Sequence, residues 1–174
     1  MGSERKSAVI SPESKRLTAY HEGGHALVSL YTQGAMPLHK VTVIPRGQAL
    51  GVTVQLPEGD QTSVTKKELI ARLDICMGGR VAEELIFGPD NITTGASNDL
   101  EQATKIAHHM VMSYGMSDEF GLASMSESNF QAASSHTRNV VESETKRILD
   151  VLFVFTSLKL IGGLSKSIEP FTNA

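Results

Sequence analysis

Apolar and polar positions follow two different periods along this chain, and the switches between them mark its elements. From about Ser14 to Thr32, Ala19, Ala26, Leu27, Leu30 and Tyr31 recur at helical spacing. A first helix is expected there, with those residues as its buried stripe and Gly34 beyond its end. Gly23 and Gly24 lie inside it, and each costs a helix about 1 kcal/mol relative to alanine. Close approach by another backbone is the expected compensation. The period then shortens to two in Lys40-Val-Thr-Val-Ile44 and Gly51-Val-Thr-Val-Gln-Leu56, with Pro45, Gly47 and Gly51 marking a turn. The pair reads as a hairpin, which must rest on helices to be stable.

Pro57 to Thr62 reads as a loop, after which Ser63 or Thr65 caps a second helix from about Lys66 to Phe87. Leu69, Ile70, Leu73, Met77, Val81 and Leu85 form its apolar face, and Gly78-Gly79 suggests a tight crossing with another helix. Gly88 to Ser97 is dense in turn residues. A third helix starts at Ser97 or Asn98, with Glu101 spaced to close a capping box on Asn98, and carries Ala103, Ile106, Ala107, Met110, Val111 and Tyr114 before Gly115. Residues 116–137 read as loop, a last helix runs from about Arg138 through Val141, Thr145 and Ile148, and Leu158 to Ala174 has no clear period. The fold class expected is mainly α with a small β-hairpin, preceded by a polar lead-in over residues 1–12.

Composition narrows this little. A length of 174 residues suits one domain, and 40% apolar and 20% charged residues are ordinary for a globular chain. A net charge of −3 with scattered basic residues points away from nucleic acid. Cys76, the single cysteine, cannot form an internal disulfide and sits among Leu73, Ile75 and Met77, where a buried inert thiol is expected. The most apolar run, Val151 to Phe155 with Leu158, Leu160 and Ile161, is broken by Lys159 and Gly162-Gly163. It falls short of the roughly 18 residues of a membrane span, so the chain as given reads as soluble.

The chemistry concentrates in Tyr20-His-Glu-Gly-Gly-His-Ala26. On a helix, His21 and His25 lie one turn apart on one face, where both imidazoles can reach a single Zn²⁺, with Glu22 beside them to take a proton from water. Two surface histidines and an ordinary glutamate produce the same spacing. A catalytic zinc keeps three protein ligands and an open position. His39, His108, His109, His136, Glu83, Glu84 and Asp99 can all supply the third. Asp99 is favoured by its place at a helix start, where backbone N–H groups hold a carboxylate, although an aspartate there also simply suits the helix dipole. Glu83 and Glu84 read as carboxylates that face solvent or brace a ligand from behind, and His108-His109 as helix surface.

Three longer segments, Tyr20 to Ala26, Met77 to Gly88 and Thr93 to Thr104, resemble the peptidase domain of the FtsH family, with Met36 to Gly47 and Met112 to Ser117 in the same pattern. The family comprises membrane-anchored, ATP-dependent zinc metalloproteases of bacteria, mitochondria and chloroplasts, and the wording is most similar to the mitochondrial i-AAA type and its plant relatives. The resemblance implies His21 and His25 as zinc ligands, Asp99 as the third, Glu22 as general base, and a zinc metallopeptidase domain over residues 13–150. It also implies unfolded, damaged or membrane-extracted protein substrates, a hexamer fed by an AAA ATPase module, and a place at the mitochondrial inner membrane or chloroplast thylakoid.

Two departures stand beside it. No G-x-x-x-x-G-K-[ST] phosphate loop occurs in the chain. The likeness also fades after about Asp150, so residues 151–174 read as a segment outside the family pattern. The rival readings are an inert peptidase-like subunit acting in assembly, and a structural zinc site; the latter is disfavoured because such sites close with four protein ligands, commonly cysteines.

Overall fold

The computed structural model of the chain describes residues 10–44, 50–56 and 63–168. Helix α1 (Pro12–Tyr31) starts just ahead of the position its apolar spacing suggests, because Ser11 is its cap. The Ser11 hydroxyl accepts a bond from the Ser14 amide at 3.1 Å, and Pro12 presets the first helical turn. The face α1 buries is also different from the expected stripe. Glu22, Gly24, His25, Val28 and Ser29 are inside, whereas Ala19, Leu30 and Tyr31 are exposed. Backbone proximity, not side-chain bulk, sets this rotation. An alanine Cβ at Gly24 would stand 2.3 Å from the Gly78 carbonyl oxygen, and one at Gly78 would stand 2.9 Å from that of Gly24. The glycines thus let α1 and α2 (Lys66–Phe87) cross in contact, as expected for Gly24 and Gly78. Gly23 has no such neighbour among the described residues.

Thr65 caps α2 with a full capping box: its hydroxyl accepts from the Glu68 amide at 3.2 Å while the Glu68 carboxylate accepts from the Thr65 amide at 2.7 Å. Of its expected apolar face, Leu69, Leu73, Met77 and Val81 are buried and Leu85 is exposed. Between the two helices, β1 (Leu38–Thr42) and β2 (Val52–Gln55) pair antiparallel, with Val41 opposite Thr53 and a register irregularity between Leu38 and Lys40. The turn at Pro45 and Gly47 and the loop at 57–62 lie outside the described residues.

After α2 come two short 3₁₀ turns, Pro89–Asn91 and Thr94–Ala96, and then α3 (Ser97–Met112). The expected capping box on Asn98 does not form: Ala96 is the N-cap residue and offers no side-chain bond. The preceding 3₁₀ turn, capped by the Thr93 hydroxyl on the Gly95 amide, delivers the chain into α3 instead. The stretch expected as loop over 116–137 contains α4 (Glu127–Ala132), capped by Ser126, and the start of α5 (Ser135–Ile168). Helix α5 passes through residue 158 without a break, so the change of sequence character there is not a change of element.

Helix α5 packs on α1, α2 and α3, and its helical continuity past Leu158 has a buried anchor. Asp74 of α2 is 1% exposed; it accepts from the Thr156 hydroxyl at 3.0 Å and pairs with Lys159, whose ammonium also reaches Thr32. The main core gathers Val28, Leu73, Met77, Val81, Ala103, Ala107, Met110, Leu152 and Leu160 from four helices. Each large apolar side chain among them contributes about 1.5–3 kcal/mol on burial. Among the described residues, no helix is long and apolar enough to cross a membrane.

Candidate metal centre

Helix α1 carries His21 and His25 on the face turned toward α2, and the end of the 3₁₀ turn aims Asp99, in the first turn of α3, at the same point. Nε2 of His21 and Nε2 of His25 are 3.1 Å apart. Oδ2 of Asp99 lies 3.2 Å from the first and 3.3 Å from the second. A tetrahedral ion bound at about 2.0–2.1 Å holds its ligand atoms about 3.3 Å apart, so this triangle has the dimensions of one face of such a site.

The other ring nitrogens show what those three atoms carry. Nδ1 of His21 lies 2.8 Å from Oε1 of Glu83, and Nδ1 of His25 lies 2.6 Å from the Ile75 carbonyl oxygen. Both partners are acceptors, so in each neutral imidazole Nδ1 holds the proton and Nε2 presents a lone pair. Two nitrogen lone pairs and a carboxylate oxygen then converge with no hydrogen between them, an arrangement that needs a cation or an added proton.

Burial alone would lower the pKa of His21, but the carboxylates of Asp99 and Glu83 outweigh it and raise the pKa above 6.5. Burial pushes Asp99 the opposite way, and its contacts with His21 and His25 prevail, holding it down at about 2.

Of the two readings offered for Glu83, solvated or bracing, the structure takes the second. It is 2% exposed, and its second oxygen accepts from the Thr93 amide at 2.7 Å and the Thr93 hydroxyl at 3.0 Å. It therefore fixes the His21 ring from behind and ties α2 to the turn that positions Asp99. Glu84 pairs with Arg80 on the α2 surface. The remaining histidines lie elsewhere: His39 is exposed on β1, His108 stacks edge-on against Phe130, His109 neighbours Ser113, and His136 is exposed on α5. Among the described residues, His21, His25 and Asp99 are the group of three whose ligand atoms all lie within 4.8 Å of one another.

Sequence reasoning missed two contributors. Gly79 faces the imidazoles: a Cβ there would stand 2.4 Å from Cε1 of His21 and 2.6 Å from Nε2 of His25. The Gly78-Gly79 pair read as a helix crossing, and only Gly78 serves one; Gly79 leaves room for the two imidazoles. Thr53 of β2 donates its hydroxyl to Oε2 of Glu22 at 2.6 Å, a partner with no sequence signature. Glu22 is buried and lines a cleft of about 590 Å³, together with Gly51, Val52, Thr53, Gln55, Arg72, Asn98 and Gln102. Cys76 borders it as well. As expected of an inert thiol, it is 8% exposed, and burial, with the Asp99 charge adding, pushes its pKa up to about 12.

A histidine pair one helical turn apart, an intervening buried glutamate and a carboxylate from a later helix, all opening on one cleft, define the architecture of a metallopeptidase domain. The chain belongs to peptidase family M41, whose profile matches residues 8–156. It is 56% identical over 149 residues to the Arabidopsis thaliana ATP-dependent zinc metalloprotease FTSH 11, chloroplastic/mitochondrial, covering 86% of this chain and 18% of that protein. It is 49% identical over 174 residues to the Schizosaccharomyces pombe ATP-dependent zinc metalloprotease YME1 homolog, covering 100% of this chain and 24% of that one. With the Saccharomyces cerevisiae mitochondrial inner membrane i-AAA protease supercomplex subunit YME1 the identity is 50% over 149 residues, 86% of this chain and 20% of the relative. The chain thus spans about a fifth of the length of these curated relatives.

Proposed function

We propose that this chain is a zinc-dependent endopeptidase domain that hydrolyses peptide bonds of unfolded protein segments, with His21, His25 and Asp99 holding the ion and Glu22 acting as general base. The observation that carries the proposal is the convergence of His21 Nε2, His25 Nε2 and Asp99 Oδ2 at 3.1–3.3 Å, each ring held from behind by its own acceptor. Zinc, when bound, polarises a scissile carbonyl and lowers the pKa of water toward about 7. Glu22 accepts the proton of the attacking water and passes it to the leaving amine.

The substrate lies extended along β2, whose residues wall the cleft where those of β1 do not. Pairing with a strand edge holds a backbone without reading its sequence, which suits a peptidase acting on many proteins. A peptide mimic crystallised away from β2 contradicts this placement. By its likeness to proteins named ATP-dependent metalloproteases, the domain is fed by an ATPase module, at a mitochondrial or chloroplast membrane; the hexamer is what the FtsH resemblance implies.

The test is metal analysis paired with cleavage of casein. The chain is expected to bind one zinc, and Glu22→Gln to keep it while cleavage falls by about 10²- to 10⁴-fold. Asp99→Asn is expected to weaken zinc binding. Undiminished cleavage by Glu22→Gln removes Glu22 from the role of base, and full zinc affinity in Asp99→Asn removes Asp99 from the ligand set. A chain that binds zinc and cuts nothing is the inert subunit.

A further inference from the structure

Strand β2 is fastened to α1 at two points on one face. Thr53 donates to Oε2 of Glu22 at 2.6 Å, and Nε2 of Gln55 donates to the Ser29 hydroxyl at 2.8 Å. Positions 53 and 55 share one face of the strand, and positions 22 and 29, two turns apart, share one face of the helix. The Thr53 bond has the short length of a hydroxyl donating to an ionised carboxylate. Gly51 closes the other side: a Cβ there would stand 2.6 Å from Cγ of Glu22 and 2.8 Å from its Oε1. The place of this carboxylate is therefore dictated by β2 as much as by its own helix. Among the described residues, Oε1 takes no hydrogen bond, so Thr53 occupies one oxygen and leaves the other to the cleft.

We propose that Thr53 is a positioning residue for hydrolysis: its hydroxyl holds Glu22 Oε2 so that the free oxygen meets the attacking water, and it ties that alignment to the strand along which substrate lies. The proposal rests on the reading of Glu22 as the base. A glutamate has three rotatable torsions, and a proton acceptor must be within hydrogen-bond reach of its donor to act. A tether on the oxygen that does not react fixes those torsions without consuming the basic site. Because the tether comes from β2, a substrate strand that orders β2 also orders the carboxylate.

The test uses the zinc-loaded 174-residue chain with Thr53→Val, Thr53→Ser, Glu22→Gln and the double variant Thr53→Val/Glu22→Gln. Thr53→Val is expected to lower kcat about 10- to 10²-fold, up to the loss a misplacement of about 1 Å can cause, with KM changed less than about twofold. Zinc stoichiometry stays at the wild-type value, and Thr53→Ser restores kcat. Binding of a peptide hydroxamate, measured by calorimetry, reads the same contact without turnover, because its acidic proton is taken by the base. Thr53→Val weakens that binding several-fold when Glu22 is present and leaves it unchanged in the Glu22→Gln background. Thr53→Ala replaces Thr53→Val should the latter fail to fold. Equal effects in both backgrounds, a change in KM alone, or no rescue by serine overturns the proposal. If Glu22→Gln cleaves like the wild type, the base reading falls first; if Glu22→Gln is inactive while Thr53→Val is undiminished, only the role of Thr53 falls.

Discussion

Gly79 offers the sharpest separation between helix stability and metal binding. Alanine at this position favours a helix interior by about 1 kcal/mol. Its Cβ, however, would stand 2.4 Å from Cε1 and 2.5 Å from Nε2 of His21, and 2.6 Å from Nε2 of His25. Comfortable contact needs about 3.5–4.0 Å, so both rings must retreat by about 1 Å or more. Neither can do so freely, since His21 is held by Glu83 at 2.8 Å and His25 by Ile75 at 2.6 Å. Breaking the first, charge-assisted bond costs about 1.5–3 kcal/mol and the second about 1 kcal/mol. Against the gain in propensity, metal-free Gly79→Ala should be about 1.5–3 kcal/mol less stable than the wild type. Its zinc affinity should fall by at least about 10²-fold, since losing one bracing partner typically costs about 10–100-fold. Gly23→Ala is the matched control. Among the described residues nothing lies within 4 Å of its added Cβ, so it should gain up to about 1 kcal/mol and keep its zinc affinity. Competition with a chromophoric chelator gives the affinities, and urea unfolding of the metal-free chains gives the stabilities. A Gly79→Ala chain with native zinc affinity would refute the placement of the ion between these rings.

Three further outcomes follow from the same geometry. Glu83→Gln keeps an acceptor for His21 but turns an amide donor toward the Thr93 N–H, so zinc affinity should drop about 10–100-fold in the chelator assay; an unchanged affinity contradicts the bracing role. In the metal-free chain the raised pKa of His21 contributes stability below pH 6.5 that is lost as pH rises past its folded value. The lowered pKa of Asp99 contributes stability above pH 3.8 that is lost as pH falls toward about 2. Between those limits zinc must displace the His21 proton, so affinity should fall with pH and calorimetry near pH 6 in buffers of different ionisation enthalpy should show proton release; binding without release contradicts it. Lys159→Ala strands Asp74, itself 1% exposed, and should cost about 2–3 kcal/mol in urea unfolding, below the usual 3–5 because Lys159 is partly solvated; no loss would mean that Thr156 suffices.

What the sequence disclosed about this molecule depended on whether the signal was local. The period of apolar residues marks α2 from Lys66 to Phe87, since both its cap and its buried face are written within it. The face of α1 was misread because its burial is decided by Gly24 meeting Gly78, a contact between helices in which bulk plays no part. The end of α5 was misread for a related reason: Thr156 and Lys159 look polar in a row of apolar neighbours, and only their buried partner, Asp74 on another helix, makes that row one helix.

The site divides the same way. The spacing of His21 and His25 encodes a shared face, so the pair was legible in isolation, whereas Asp99 was one carboxylate among several until the resemblance singled it out. Glu83 could be sorted from Glu84 only by which side of α2 meets His21. The unwritten parts, Gly79 and Thr53, share a task with Glu83, which is to fix the approach of a side chain belonging to a different element. A motif records which atoms react; the residues that aim those atoms leave their trace only where the elements meet.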